Sequence, residues 1–214
     1  MPYAPLTLFN GCPPFFQDFN DRLVQVDPGR LLAMNNNVIL AKTGMGLHFV
    51  SGIQSAASKW RLANSVTGLL YDDATTVSEL LADSYSAQAR VAMSVVAFEA
   101  FARIFTSGDW PTAQSVVMTN IDAGLCTATR DLLDSDDLFN KLHSNARPGQ
   151  QARLQNFHVS GTDSELYSVC VSIRNAFAHG AIGGQEGLVN LAPELQAHIL
   201  DGIKDYCTSL SATV

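Results

Sequence analysis

An all-α fold is predicted by three features of the sequence. Apolar residues recur at spacings of three and four, as in Leu47, Val50, Ile53 and Ala57, which is the period of an amphipathic helix. A stretch rich in alanine, from Ala87 to Ala102, contains no glycine or proline and predicts a buried helix. Glycine and proline instead separate such segments, and nothing suggests a sheet. We therefore expect a bundle of about five or six helices.

The order of elements follows from these signals. Prolines at positions 2, 5, 13, 14 and 28 mark residues 1–45 as a partly irregular N-terminal arm with one short helix near Phe15–Val24. Residues 46–214 form the predicted helical domain. Its first helices are expected from about Gly46, from Ser78 to Phe105, and from Thr112 to about Leu142 with a break near Gly124. A helix should then run from a Thr162-x-x-Glu165 capping box to His179, where Gly180 ends it. The last helix is expected to begin at Pro193.

Charge is scarce in this chain. Its 214 residues carry 13 basic and 20 acidic side chains, for a net charge of −7, and only 15% of residues are charged, against about 25% in average proteins. Together with 47% hydrophobic residues, this excludes intrinsic disorder and argues against a protein that coats nucleic acid by bulk electrostatics. Few charges also suggest that part of the surface is covered in an oligomer.

The cysteines and the N-terminal sequence indicate a cytoplasmic protein. Four cysteines are scattered without a C-x-x-C pair, which favours reduced thiols over a disulfide framework or a zinc site. No basic segment precedes an apolar stretch at the start, so we expect no signal peptide. The apolar run from Val91 to Phe105 is too short to span a bilayer and contains charges. The histidines lack metal-ligand spacing, so we expect neither metal nor cofactor.

One segment, Ser172–Gly180, has a pattern that suggests chemistry. Asn175 and His179 are four residues apart and share a helix face, whereas Arg174 and His179 are five apart, about 140° around a helix. A site that uses both Arg174 and His179 therefore needs the arginine to reach around the helix, or a second helix packed against the first.

This segment resembles the signature of the HEPN superfamily, in which four to six residues separate an Arg from a His and the residue directly after the Arg is usually polar. Arg174, Asn175 and His179 supply the match, and Gly180 is also typical. The helix containing Val95–Phe101 resembles the early HEPN helix that packs against the motif helix, which makes Glu99 a supporting residue that would pair with Arg174.

The resemblance implies a homodimer of helical bundles in which two motifs meet in a cleft and cleave RNA without metal, as in toxins paired with an antitoxin protein or in phage defence. His179 would then serve as general base, Arg174 would stabilise the phosphorane charge, and Asn175 would position one of them or the phosphate. Ala181 stands where toxins paired with nucleotidyltransferase antitoxins have a tyrosine, so regulation through that tyrosine is not expected.

Two other interpretations remain open. In one, the chain is a HEPN-like module without catalysis that serves dimerisation or binding of a ligand or RNA. In the other, the motif is a coincidence in an unrelated helical protein, Arg174 pairs with Glu165 or Glu99, and His179 merely caps its helix. Arg147 and Arg153, on either side of a Pro-Gly turn, are further candidates for contact with a phosphate backbone or are simply solvent-exposed.

Overall fold

A computed structural model describes residues 10–26, 48–69, 78–105 and 110–212. Within those residues the secondary structure is helical, with nine α-helices, one short 3₁₀ turn and no strand. The helices are α1 (Pro14–Val26), α2 (His48–Ser65), α3 (Glu79–Phe105), α4 (Trp110–Val117), α5 (Ala123–Asp134), α6 (Leu138–Ser144), α7 (Pro148–His158), α8 (Leu166–Ala178) and α9 (Glu186–Ala212), and the 3₁₀ turn is Asp163–Glu165. The all-α prediction is confirmed, but the expected number of helices is too low.

The low number has two causes: the prediction has no helix where α7 lies, and it divides the segment from Thr112 to Leu142 into too few helices. The helical stretch expected there, with a break near Gly124, is three helices, α4, α5 and α6, separated at residues 118–122 and 135–137. The first break agrees with the one expected near Gly124, which is the second residue of α5. Asp122 caps that helix, its side chain accepting a hydrogen bond of 2.8 Å from the Leu125 amide. The second break contains Asp136 and Asp137, both with positive φ.

The prediction for the last helix is wrong at its start. We expected Pro193 to begin it, but α9 begins at Glu186, two residues after Gly184, and holds Pro193 in its interior. Proline lacks an amide proton and costs a helix one main-chain hydrogen bond, but does not forbid the helix when the rest of its face is buried. Here Leu188, Leu195 and Ile199 are fully buried.

The earlier helices agree better with the sequence. The short helix near Phe15–Val24 is α1, the helix expected from Gly46 is α2, and the helix expected from Ser78 to Phe105 is α3. Ser78 precedes α3 and its hydroxyl accepts from the Leu81 amide at 3.4 Å. Most of the arm, residues 27–47, lies outside the described residues, as do the first nine, so the boundary at residue 45 stays a prediction.

The chain divides into two compact units. The first contains the described residues of Met1–Leu62, Val96–Thr119 and Leu200–Val214, and the second those of Ala63–Val95 and Asn120–Ile199. An aromatic cluster forms the core of the first unit: the ring of Phe101 lies edge-on at 6.2 Å from Phe16 and at 5.9 Å from Tyr206. Trp60 packs against Phe16 and donates its indole N–H to the Leu200 carbonyl at 2.9 Å.

The second unit is built around α8. From Leu166 to Ile173 every residue of this helix is buried. Helices α6 and α7 pack against it, and α5 packs on both of those helices. The three residues of the HEPN-like motif lie at the C-terminal end of α8, so this unit contains the candidate site.

Candidate functional site at the end of helix α8

The apolar stripe expected along α8 is buried except at its last member. Leu166, Cys170 and Ile173 are almost fully buried, which fixes the helix against the rest of the unit. Burial raises the pKa of the Cys170 thiol to about 12, so this cysteine is a neutral core residue. Phe177, the last member of the stripe, is only half-buried, and its ring centroid lies 6.5 Å from that of Tyr85.

The capping box predicted at the start of this helix does not form. Thr162 begins the 3₁₀ turn that precedes α8 and makes no side-chain capping bond. The Glu165 carboxylate instead accepts two hydrogen bonds from one Arg153 nitrogen, at 2.9 and 3.0 Å. A partly buried pair with an arginine is stronger than a bond to a neutral amide, so the contact with α7 replaces the local cap.

The end of the helix is formed as the sequence predicts. Gly180 has the left-handed φ of +62°, and its amide donates to the Phe177 carbonyl at 3.1 Å. The Ala181 amide donates to the Ala176 carbonyl at 2.8 Å. These two bonds are the Schellman motif, which ends a helix with glycine just past its last residue. His179 caps α8 through its main-chain amide. Its imidazole takes no part in the cap, and the residue is exposed.

A second stripe along α8 is polar. Ser168, Ser172, Asn175 and His179 follow one another at spacings of four, three and four, so they share a face. The two serines are buried, and Gln150 of α7 donates its side-chain amide to the Ser168 carbonyl and, at 2.9 Å, to the Ser172 hydroxyl. Further along this polar stripe Asn175 is half-buried and His179 exposed. Neither side chain bonds to another described residue, so both are available to a ligand.

Arg174 does not lie on the polar stripe. It precedes Asn175 by one residue and is therefore turned from it by about 100° around the helix. The residue is half-buried and already has an interaction within the chain. Of the three motif residues, the structure thus brings Asn175 and His179 together and places Arg174 on an adjacent face.

The loop after Gly180 is held by the first turns of α3. The Ser84 hydroxyl donates to the Gly183 carbonyl at 3.0 Å and accepts from the Gln185 amide at 2.9 Å, and the Gln88 amide group donates to the same carbonyl at 3.4 Å. Sequence reasoning missed Ser84 and Gln88, because nothing in the sequence links side chains to a loop about a hundred residues away. These bonds hold in place the segment that follows His179 in the chain.

Comparison with known proteins assigns no family here. No protein-family model, no curated protein and no solved structure matches this chain. The resemblance to the HEPN superfamily therefore rests on the motif residues themselves.

Neither metal ligands nor membrane-spanning segments stand out in the described part of the chain. No three His, Cys, Asp or Glu side chains among residues 10–26, 48–69, 78–105 and 110–212 are grouped so that they could hold a metal ion. None of the helices in those ranges combines the length and apolar character needed to cross a bilayer. Glu99, the supporting residue suggested by the resemblance, belongs to the first unit and Arg174 to the second, and their pairing stays a prediction.

Proposed function

We propose that the exposed end of α8 is the active site of a HEPN-like, metal-independent endoribonuclease that works as a homodimer. One observation supports this most strongly. Asn175 and His179 continue a polar stripe that Gln150 contacts at the Ser168 carbonyl and the Ser172 hydroxyl, yet their own side chains bond to no other described residue. An amide and an imidazole on one helix face, without partners among the described residues, can both contact the same ligand.

The residues suit cleavage of RNA by its own 2′-hydroxyl. A neutral His179 takes the proton of that hydroxyl, the 2′-oxygen attacks phosphorus, and the bond to the 5′-oxygen breaks. The 5′-oxygen then needs a proton, which the protonated His179 of a second copy supplies in a two-fold site. Arg174, whose planar guanidinium matches phosphate oxygens, stabilises the charge of the phosphorane. The products are a 2′,3′-cyclic phosphate and a free 5′-hydroxyl.

Arg174 must reach the phosphate from a neighbouring face of the helix. An arginine side chain is long enough to cover part of a turn, and the partner motif across a two-fold axis offers a second arginine. The net charge of −7 means that attraction over the whole surface does not hold the RNA, so the grip comes from cations at this site.

The test compares the purified protein with three variants on labelled single-stranded RNA in the presence of EDTA. We expect wild type to cleave and to leave 2′,3′-cyclic phosphate ends, and His179→Ala and Arg174→Ala to lose cleavage by at least about a hundredfold, as general acid–base catalysis contributes about 10² to 10⁴. Asn190→Ala removes an exposed amide elsewhere in the same unit, on α9, and should retain activity. Full activity in both motif variants would contradict the proposal.

His179→Ala is a clean substitution for this test. Its capping bonds are made by the main-chain amide, so alanine removes the imidazole and keeps the cap. A melting temperature equal to that of wild type therefore separates lost chemistry from lost structure.

A second function is favoured by the half-buried position of Arg174 and its existing contacts within the chain, which fit a structural arginine. In that case the chain is a HEPN-like dimerisation or binding module without catalysis. It predicts no cleavage by wild type, together with a dimer in sedimentation analysis that persists in His179→Ala. RNA cleavage that depends on His179 would exclude this alternative.

A further inference from the structure

Helices α7 and α8 pack with opposite chain directions. Gln150, near the start of α7, bonds to Ser172 of α8, whereas Arg153, one turn later, bonds to Glu165, seven residues earlier in the chain than Ser172. As α7 advances, its contacts on α8 therefore move backward. The first residues of α7 lie toward the C-terminal end of α8, where the candidate site is.

The same alignment gives the level of Arg147. This residue precedes Gln150 by three positions, and Asn175 follows Ser172 by three. Because a helix rises about 1.5 Å per residue, both steps move about 4.5 Å in the same direction from the bond between Gln150 and Ser172. Packed helix axes are about 8–10 Å apart, a distance that an arginine side chain can cross. Arg147, the residue just before α7, is thus placed by this alignment toward the same end of α8 as Asn175.

The structure distinguishes Arg147 from Arg153, which are equivalent candidates for phosphate contact in the sequence. Arg153 is committed to Glu165 by two hydrogen bonds. Arg147 is exposed, makes no capping bond as the residue before α7, and pairs with no other described residue.

The surroundings of Arg147 are open and carry no opposing charge in the helix that it precedes. The first turn of α7 contains no acidic side chain. A Cβ atom placed on Gly149 would meet nothing within 4 Å. A phosphate group can therefore approach this turn without meeting a carboxylate from it or a crowded backbone.

We propose that Arg147 contacts the backbone phosphate of the RNA on which the proposed site acts. This inference rests on the proposed function and adds to it a residue outside the motif. Arg147 is a binding residue and not a catalytic one, because its guanidinium holds a phosphate beside the reacting bond and transfers no proton. It also supplies a local positive charge on a chain with a net charge of −7.

The experiment measures steady-state cleavage and salt dependence of RNA binding for wild type, Arg147→Ala, Arg147→Lys and Lys204→Ala. Lys204 is an exposed cation of the first unit, on α9, so its loss changes the net charge equally. We expect Arg147→Ala to raise KM roughly tenfold with kcat unchanged, and to reduce the slope of log Kd against log salt by about 0.7. Arg147→Lys should restore part of the loss, since it keeps the charge but not the planar fork. Lys204→Ala should resemble wild type.

The outcomes keep the two proposals apart. If wild type cleaves and His179→Ala does not, but Arg147→Ala matches Lys204→Ala in KM and salt slope, the role of Arg147 is refuted and the proposed function stands. The role of Arg147 is also refuted if Arg147→Ala lowers kcat alone. If wild type neither cleaves nor binds single-stranded RNA, the proposed function fails, and the role of Arg147 fails with it.

Discussion

Replacing Gly180 by alanine tests whether the left-handed turn that ends α8 stabilises the protein. Gly180 has a φ of +62°, and a Cβ atom there would meet nothing within 4 Å, so the whole cost is conformational. A residue with a Cβ pays about 1–2 kcal/mol in the left-handed region. Alanine regains about 0.4–1 kcal/mol because it restricts the unfolded chain. We therefore expect Gly180→Ala to lower the free energy of unfolding by about 0.5–1 kcal/mol.

Gly183→Ala is the matched control. Its Cβ would also meet nothing within 4 Å, but its φ is not in the left-handed range. Alanine then only restricts the unfolded chain, so this variant should have the stability of wild type or be more stable by up to about 1 kcal/mol. The two alanine variants should therefore differ by about 1–2 kcal/mol.

Urea titrations followed by circular dichroism measure this difference, and thermal melts give a second measurement. For a chain of this size 1 kcal/mol corresponds to about 2–4 °C in melting temperature. Gly180→Asn should lose less than Gly180→Ala, because asparagine tolerates the left-handed region better. If Gly180→Ala is as stable as Gly183→Ala, the helix does not need this conformation and the reasoning is refuted.

Three further predictions concern the pH dependence, a buried hydrogen bond and a thiol. Burial lowers the pKa of the His198 imidazole, so the unfolded chain binds a proton at this residue more readily than the folded chain. The free energy of unfolding should therefore be highest above about pH 6.5 and fall as the pH drops below that value. Urea titrations of His198→Gln should show a weaker pH dependence than wild type, and an equal pH dependence would refute this. Gln150→Leu removes two buried hydrogen bonds and should lower the free energy of unfolding by about 1–3 kcal/mol. The control Gln155→Leu, at an exposed residue of the same helix, should change it by under about 0.5 kcal/mol. Similar values for the two variants would contradict the role of Gln150. The fully buried Cys170, with its pKa raised to about 12, should react with a thiol reagent only after unfolding, and rapid labelling in the native protein, located by peptide mass, would disprove its burial.

Much of α8 could be predicted from the sequence because the signals are local. The spacing of apolar residues predicts which side is buried, and glycine at position 180 predicts where the helix ends. The end at Gly180 is confirmed, whereas burial differs from the predicted stripe, since every residue from Leu166 to Ile173 is buried and Phe177 is only half-buried. The predicted start was wrong because Glu165 bonds to Arg153 of another helix, and a local pattern cannot show which distant side chain competes for the same carboxylate.

The candidate site shows the same limit. The shared face of Asn175 and His179 follows from helix geometry alone, so the sequence predicts it. Gln150 does not stand out in the sequence, although its bonds orient that face, because its partner serines lie on another helix. Arg147 and Arg153 look equivalent until packing commits one of them to Glu165.

The bonds from Gln150 to α8 also set the angular position of this helix about its own axis. An apolar contact is non-directional and tolerates small rotations, whereas a hydrogen bond weakens steeply when donor and acceptor lose alignment. His179 lies seven residues beyond Ser172, a distance of about 10 Å along the axis. The side of the molecule on which the His179 backbone lies thus depends on an amide two turns away, and a substitution at Gln150 that spared the fold would let this end of α8 rotate.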